Sequence, residues 1–231
     1  MLKIIKKYLL DLIFPQFCID CGKEGSWLCD SCKKEILPVS TQTCPDCGRI
    51  SRFGKYCLKD RKNKYLAGII VASYYQEGAV KELIHNFKYN HMSEIGISLG
   101  DLLSLALKEN IKLGKDLLLS PVPLFYLRKS QRGYNQAEIL AKVVAAKLKL
   151  EKNDYLLVKK RQTKPQVSLE GKKRRKNLKK SFFFNKKYDV SNRTIILVDD
   201  VSTTGTTLNE CAKVVKNAGA KKVWGLVVAR G

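Results

Sequence analysis

The chain has 231 residues, 45% of them hydrophobic, and 44 Lys and Arg against 21 Asp and Glu give a formal net charge of +23. This length suits one main domain with an appendage, and the composition is that of a globular protein. A positive charge of this size favours polyanionic partners such as nucleic acid, acidic lipid surfaces or phosphorylated metabolites. No run of about 18 to 20 apolar residues occurs, so the sequence predicts no transmembrane helix.

The first segment of the chain is predicted to form a short amphipathic helix, because apolar residues recur at helical spacing between Leu2 and Ile13. Charged residues interrupt the segment, which therefore does not have the apolar core of a secretory signal peptide. We expect the helix to pack on its own protein. Contact with a membrane surface or with a partner is the alternative.

Residues 15–65 contain seven of the eight cysteines, and six of these form CxxC pairs. Without an export signal, this pattern indicates a reducing cytosol and metal binding rather than disulfides. A CxxC turn delivers two thiolates to one ion, and structural zinc takes four such ligands. The spacing predicts two ligand sets, namely Cys18, Cys21, Cys29 and Cys32, followed by Cys44, Cys47, Cys57 and Asp60.

The second ligand set is the less regular one, because Asp60 stands where a fourth cysteine would complete the pattern. It is interpreted as a site with three cysteines and one aspartate, a site closed by water, or a relic that no longer binds metal. A cross-braced pairing of Cys18 and Cys21 with Cys44 and Cys47 also fits the spacing. In every case the zinc is structural, and the eighth cysteine, Cys211, is predicted to be a core residue.

From Ala67 onward, predicted strands and helices alternate. The strands cover 69–75, 116–120, 155–159, 182–184, 194–198 and 223–229, and the helices cover 77–89, 93–109, 136–150 and 206–218. This alternation predicts a mainly parallel sheet covered on both faces. The expected architecture is thus an α/β fold over residues 66–231, preceded by a small metal-binding module over residues 1–65.

The run from Ile195 to Thr207 carries the most chemical information. An apolar strand ends at two carboxylates, Asp199 and Asp200, where open α/β sheets bind their ligands. Amides and hydroxyls at the start of a helix then form an anion cradle, supplied by Val201, Ser202, Thr203, Thr204, Gly205, Thr206 and Thr207. The two acids are suited to accept hydrogen bonds from two ribose hydroxyls. No Gly-Lys-Ser/Thr ends the run, which excludes a Walker loop.

This run resembles the signature of type I phosphoribosyltransferases for phosphoribosyl pyrophosphate (PRPP). The resemblance implies that Asp199 and Asp200 hold the ribose hydroxyls of PRPP and that residues 203–207 wrap its 5-phosphate. It also implies a Mg²⁺ ion that bridges pyrophosphate and ribose oxygens.

A second group of residues follows another strand end, where this family places its pyrophosphate loop. It comprises residues 120–124, Arg128 and residues 132–136, so Arg128 and Arg132 are the candidates for pyrophosphate contact. Together with the cysteine module, these motifs resemble the ComF family of bacterial competence proteins almost from end to end, with Asp60 as the main departure.

The ComF resemblance implies a biological setting. The family is associated with natural transformation, in which incoming single-stranded DNA is handled at the cytoplasmic side of the membrane, and some relatives are linked to the use of DNA as a nutrient. The implied partners are single-stranded DNA and DNA-uptake proteins such as a competence helicase.

A basic segment over residues 161–180 is interpreted in three ways. It closes over PRPP as a mobile loop, follows a nucleic-acid backbone, or is simply a solvated surface loop. Its candidate residues are Arg161, Lys172, Lys173, Arg174, Arg175 and Asn177. The aromatic residues over 182–184 either stack on bases or belong to the core.

Two functions are compatible with these motifs. One is an enzyme that transfers the phosphoribosyl group of PRPP to an unknown acceptor, and no catalytic residue is assigned to it. The other is a non-catalytic, nucleic-acid-binding competence factor that uses the fold as a sensor or scaffold. The combined prediction is a protein that binds both PRPP and single-stranded DNA.

Overall fold

The computed structural model describes residues 15–36, 38–62, 64–75, 78–112, 114–160 and 181–231. The predicted N-terminal helix and the basic segment over 161–180 lie outside these residues. Within the described ranges, no helix has the length and apolar character that crossing a bilayer requires.

A five-stranded sheet forms the centre of the structure, and all of its strand pairs are parallel. Its strands, in spatial order, are β1 (Gly68–Tyr74), β7 (Lys222–Arg230), β6 (Thr194–Ser202), β2 (Leu117–Pro121) and β3 (Glu151–Lys152). Successive side chains of each strand point into two separate cores, as the two-residue repeat of a strand requires. Ile196 and Val198 of β6 therefore lie in one core, and Ile195 and Leu197 lie in the other.

Helices and a hairpin cover the two faces of this sheet. Within the described residues the helices are α1 (Asp30–Glu35), α2 (Ala79–Tyr89), α3 (Ile95–Asn110), α4 (Tyr126–Arg132), α5 (Gln136–Leu148) and α6 (Thr206–Asn217). Helices α2, α3 and α5 pack on one face. Helix α6 and the antiparallel hairpin of β4 (Leu157–Lys159) and β5 (Phe182–Phe184) pack on the other. The predicted fold class, an α/β domain with a mainly parallel sheet, is confirmed.

Several elements differ from their predicted form. The strand expected over 155–159 is β4, which lies outside the parallel sheet, and the two-residue β3 takes the fifth position instead. Helix α4 was not predicted, because it buries no residue and so shows no apolar repeat. Helix α5 ends at Leu148, since Lys149 adopts a left-handed backbone with φ of 53°. Strand β6 continues beyond Val198 to Ser202.

The cysteine-rich segment packs against the outer edge of β1. Cys18, Leu28 and Cys32 join the core beneath α3, and Cys44 and Tyr56 join the core on the opposite face. The segment thus contacts both sides of the edge strand.

One buried glutamine occupies the hydrogen-bonding edge of β1. The Nε2 of Gln42 donates to the carbonyl of Val71 over 2.9 Å, and its Oε1 accepts from the N–H of Val71 over 3.0 Å. The side-chain amide therefore takes the place of a neighbouring strand and satisfies two backbone groups at the edge of the sheet.

We predict that Gln42→Leu lowers the free energy of unfolding by about 2 kcal/mol, because it leaves the N–H and C=O of Val71 without partners. Urea denaturation followed by circular dichroism measures this loss. The matched control is Gln131→Leu, since Gln131 is exposed and its replacement removes no buried hydrogen bond. Equal stability of the two variants would contradict the role given to Gln42.

Candidate functional site

The candidate site lies at the carboxyl edge of the sheet, between β2 and β6. From β2 the chain passes through α5 to β3 on one side, and from β6 it passes through α6 to β7 on the other. The two connections leave in opposite directions, so a crevice opens between the two strand ends. Such switch points are where open α/β sheets bind ligands.

A cavity of about 650 Å³ occupies this crevice. It is lined by residues from α2, from the β2–α5 connection, from β4 and from the end of β6. Those that bear on the chemistry are His85, Lys88, Tyr89, Arg128, Arg132, Asn135, Lys159, Asp199, Asp200, Val201, Thr203 and Thr207. Ser202, Thr204, Gly205 and Thr206 line a smaller pocket that shares Asp199, Val201, Thr203 and Thr207 with the first.

The two acids lie within β6 rather than beyond it. Their backbone is held by the continuing ladder, in which Asp199 pairs with Val227 of β7. The Nζ of Lys88 on α2 lies 3.1 Å from Oδ1 of Asp200. Burial and the neighbouring carboxylate of Asp200 raise the pKa of Asp199 to about 7. Asp199 is thus poised between its two protonation states near neutral pH.

Lys88 is the cation that balances Asp200. Burial by itself lowers the pKa of Lys88, but the carboxylate of Asp200 outweighs this effect and the pKa is raised. The raised pKa keeps the Lys88 ammonium charged at neutral pH, and this cation already occupies one hydrogen-bonding direction of Asp200.

The hydroxyl-rich loop after the acids opens directly into α6. Gly205 is the N-cap residue of that helix and has a left-handed φ of 68°, a conformation that favours glycine. The hydroxyls of Thr204 and Thr206 lie 2.8 Å apart. Backbone N–H groups at a helix start carry partial positive charge and point outward, so this loop offers donors that could hold an anion.

Three further cations surround the opposite side of the cavity. Arg128 and Arg132 come from α4, and Lys159 comes from the end of β4. Burial lowers the pKa of Arg128, and the charge of Arg132 lowers it further. Burial and the charge of Arg128 likewise lower the pKa of Lys159. These shifts reflect crowded positive charge, which a polyanionic ligand would relieve.

Hydrogen bonds fix the segment that follows Arg132. Asn135 caps α5 by accepting from the N–H of Ala137 over 3.1 Å, and its Nδ2 donates to the carbonyl of Val122 over 3.1 Å. The Tyr134 hydroxyl donates to the carbonyl of Phe87 at the end of α2 over 2.7 Å. The connection after β2 is thereby tied to both α2 and α5, which gives the cavity a fixed wall.

The structure thus places Asp199, Asp200, residues 201–207, Arg128 and Arg132 around two adjoining pockets. The other predicted cluster, Arg161 with residues 172–177, lies outside the described residues. Lys88 and Lys159 were not assigned a role from the sequence. Each is one lysine in a chain with 44 basic residues, so only its place in the fold distinguishes it.

The cysteines group in the order of the sequence. The ligand atoms of Cys18, Cys21, Cys29 and Cys32 lie within 4.8 Å of one another, and those of Cys44, Cys47, Cys57 and Asp60 form a second such cluster. The cross-braced alternative is not the arrangement found. Burial raises the pKa of the Cys18 thiol, but backbone N–H groups of Cys29, Cys21 and Asp20 outweigh it and bring the pKa to about 6.

Both clusters have the dimensions of a zinc site. Sulfurs bound 2.3 Å from a zinc ion at tetrahedral corners are about 3.8 Å apart. The Sγ atoms of Cys21 and Cys29 are 3.6 Å apart, and those of Cys47 and Cys57 are 3.7 Å apart. The Oδ2 of Asp60 lies 3.4 Å from the Sγ of Cys44. The donors present therefore fit zinc in both places.

Comparison with known families defines the class of the molecule. Residues 112–230 match the family model for the phosphoribosyl transferase domain, and residues 9–59 match that for the double zinc ribbon domain. The chain thus joins a phosphoribosyltransferase-like α/β domain to a double zinc ribbon. The ribbon match and the two clusters together support structural zinc.

Relatives extend over nearly the whole chain. It is 32% identical over 229 residues to "Competence protein F" of Haemophilus influenzae, a match that covers 92% of this chain and 96% of that protein. It is 30% identical over 226 residues to "DNA utilization protein YhgH" of Escherichia coli K12, covering 92% and 97%. It is 25% identical over 210 residues to "Competence protein ComFC" of Bacillus subtilis, covering 85% and 81%. The chain belongs to the competence protein F family.

We predict that Asp60→Ala lowers the zinc content from two ions per chain to one, because three thiolates leave the second tetrahedron open. Mass spectrometry of the dialysed protein for metal content measures this. Asp60→Cys should keep both ions, since a thiolate is the more usual fourth ligand.

The matched control for the zinc count is Asp46→Ala. Asp46 lies between Cys44 and Cys47 but pairs with Lys64, with 2.7 Å between its Oδ2 and the lysine Nζ, and is not part of the cluster. An unchanged zinc content in Asp60→Ala would remove Asp60 from the ligand set.

Proposed function

We propose that this protein binds PRPP in the crevice between β2 and β6 and binds single-stranded DNA on the basic surface around it, as part of DNA uptake or utilisation. One observation carries the first half of the proposal. The acid pair, the hydroxyl-rich loop and the crowded cations lie around adjoining pockets at one edge of the sheet. PRPP is a molecule with a diol, a phosphate and a pyrophosphate, and each of these groups has a matching part of the site.

Each part of the site would act on one part of PRPP. Asp199 and Asp200 would accept hydrogen bonds from the two ribose hydroxyls, with Asp200 held in place by its ion pair with Lys88. The N–H groups and hydroxyls of the loop over 202–207 would hold the 5-phosphate. Arg128, Arg132 and Lys159 would neutralise the charge of the pyrophosphate. The bound pyrophosphate would in turn offset the repulsion between these cations.

The donors present also fit the Mg²⁺ ion that accompanies PRPP. Mg²⁺ prefers oxygen ligands and usually binds through one or two carboxylates together with phosphate oxygens, and Asp199 and Asp200 offer such carboxylates at the cavity wall. When bound, the ion would neutralise part of the pyrophosphate charge. The residues of the chain supply the orientation of the sugar and the remaining positive charge.

Phosphoribosyl transfer is the reaction that this arrangement suits. An acceptor would attack C1 of the ribose as pyrophosphate leaves with the bonding electrons, and the acceptor would lose its proton to solvent or to a neighbouring base. The protein needs no nucleophile for this step, since holding the sugar and stabilising the leaving charge are sufficient. The acceptor is not identified.

We expect the double variant Asp199→Asn, Asp200→Asn to lose PRPP binding in calorimetric titrations with Mg²⁺, because it removes both acceptors for the ribose hydroxyls. Zinc content and secondary structure should not change. A PRPP affinity equal to that of the wild type would refute the assignment of the acid pair.

The pH dependence of the same titration adds a sharper readout. The ionised form of Asp199 is the hydrogen-bond acceptor. The affinity for PRPP should therefore rise by up to about tenfold per pH unit below pH 7 and level off above it. The single variant Asp199→Asn should bind weakly and lose this part of the pH dependence. Because the pKa of Asp199 is raised, its ionisation costs stability in the free protein, and the variant should melt no lower than the wild type at pH 8.

The proposal for single-stranded DNA is supported by the charge of +23 and by the rim of the cavity. Tyr89 is 54% exposed there, and the guanidinium of Arg132 lies over its ring at 5.3 Å from the centroid. Exposed rings beside cations are the usual platform for unpaired bases. The names of the relatives, which refer to competence and DNA utilisation, agree with such a ligand. DNA-uptake proteins, including a competence helicase, are the proposed partners.

We expect oligonucleotide binding to weaken steeply with salt, with a slope of log K against log [salt] of about −0.7 per neutralised phosphate. Tyr89→Ala should weaken binding several-fold without changing this slope, because it removes stacking and no charge. Tyr155→Ala is the matched control, since Tyr155 is 70% exposed and does not line the cavity. Fluorescence anisotropy measures the affinity of both variants, and binding that does not depend on salt would contradict the DNA proposal.

A second assay tests whether DNA is the acceptor. PRPP is added to the same mixtures, and the release of pyrophosphate is measured.

A further inference from the structure

The second metal cluster is joined to the phosphate-binding end of the sheet by a short segment of chain. In this segment Gly54 lies so close to β1 that an added Cβ would be 2.1 Å from the carbonyl oxygen of Ile69. Two residues further on, the N–H of Tyr56 donates to the carbonyl of Ala67 over 3.3 Å. Arg230, at the end of β7, donates to the carbonyl of Pro45 within the second CxxC turn. The chain between the ligands of the second cluster is therefore held against β1 at Gly54 and Tyr56 and against the end of β7 at Pro45.

Tyr56 is the residue of this segment that reaches the hydroxyl-rich loop. A Cβ placed on Gly205 would lie 3.3 Å from the Tyr56 Oη and 4.0 Å from the Oγ of Ser202. The phenol oxygen thus lies against the backbone at the N-cap of α6. In the loop over 202–207, this is the position where the chain turns from strand to helix.

The Tyr56 hydroxyl has no hydrogen-bond partner among the described residues, although the side chain is only 5% exposed. A buried hydroxyl without a partner destabilises a protein, and a phenylalanine ring would fill the same space without that cost. Packing therefore explains the ring of Tyr56 but not its oxygen. The oxygen needs a partner that this form of the loop does not provide.

We propose that Tyr56 is a positioning residue of the 5-phosphate site: its hydroxyl gains a hydrogen-bond partner from the loop over 202–207 when the loop closes on a sugar phosphate. The bond would stabilise the closed loop and leave the open one strained, so the zinc ribbon would contribute directly to ligand affinity. This inference rests on the proposed function, since it requires a phosphorylated sugar to bind in the loop. The ligand class is a sugar 5-phosphate, of which ribose 5-phosphate is the simplest probe.

The test is Tyr56→Phe, titrated with ribose 5-phosphate, with PRPP and with inorganic pyrophosphate. Removal of one hydrogen bond that forms only in the bound state should lower the affinity about fivefold. We expect that loss for ribose 5-phosphate and PRPP, which share the 5-phosphate, and no loss for pyrophosphate. The melting temperature of the free variant should equal or exceed that of the wild type, because an unpaired buried oxygen has been removed.

The control variant is Tyr65→Phe. Tyr65 is 38% exposed, and it contacts α6 through its backbone N–H, which donates to the Oδ1 of Asn209 over 2.9 Å. Its hydroxyl is not needed for that contact, so all three affinities should equal those of the wild type.

The outcomes separate the two proposals. If the wild type binds neither ribose 5-phosphate nor PRPP, the proposed function fails and the role of Tyr56 fails with it. If the wild type binds and Tyr56→Phe binds equally well, only the role of Tyr56 is overturned. A variant that melts lower, or does not fold, would show that the hydroxyl is structural in the free protein, which also overturns the inference.

Discussion

The parallel register of β6 between β2 and β7 is the constraint on which the rest of the molecule depends. Because neighbouring strands run in the same direction, their carboxyl ends meet at one edge. The acids, the loop and the arginines of the crevice are attached to these ends or to a helix that follows one, whereas Lys159 comes from the β4–β5 hairpin. Asp199 and Asp200 remain inside the ladder, so their backbone is rigid. The loop after Ser202 is then free of the ladder and turns into α6 at Gly205.

The site also brings groups of opposite charge close together. Lys88 pairs with Asp200, and the pKa of Asp199 is raised to about 7. Arg128 is repelled by both Arg132 and Lys159. Several of these groups are partly buried, which strengthens both the attraction and the repulsion. Under the proposed function, an anionic ligand with hydroxyl donors would interact favourably with both the acids and the cations.

Much of this could be predicted from the sequence, because the strongest signals are local. The apolar run before Asp199, the glycine and threonines after it and the CxxC spacing each occupy consecutive residues. Helix α4 was not predicted because it buries none of its residues and so has no apolar repeat. Strand β3 was not predicted because two residues are too few to show an alternating pattern. Only tertiary folding brings Lys88 and Lys159 to the acid pair and Tyr56 to Gly205, and no spacing along the chain relates them.

The treatment of the sheet edges has a consequence for how the protein fails. At one end of the sheet β3 offers only two residues, and at the other Gln42 and the cysteine-rich segment close off β1. Without metal, that segment would no longer be held against β1. The backbone N–H and C=O groups along the outer edge of this apolar strand would then lack partners. The ribbon therefore covers a strand edge that could otherwise pair with another copy of the chain.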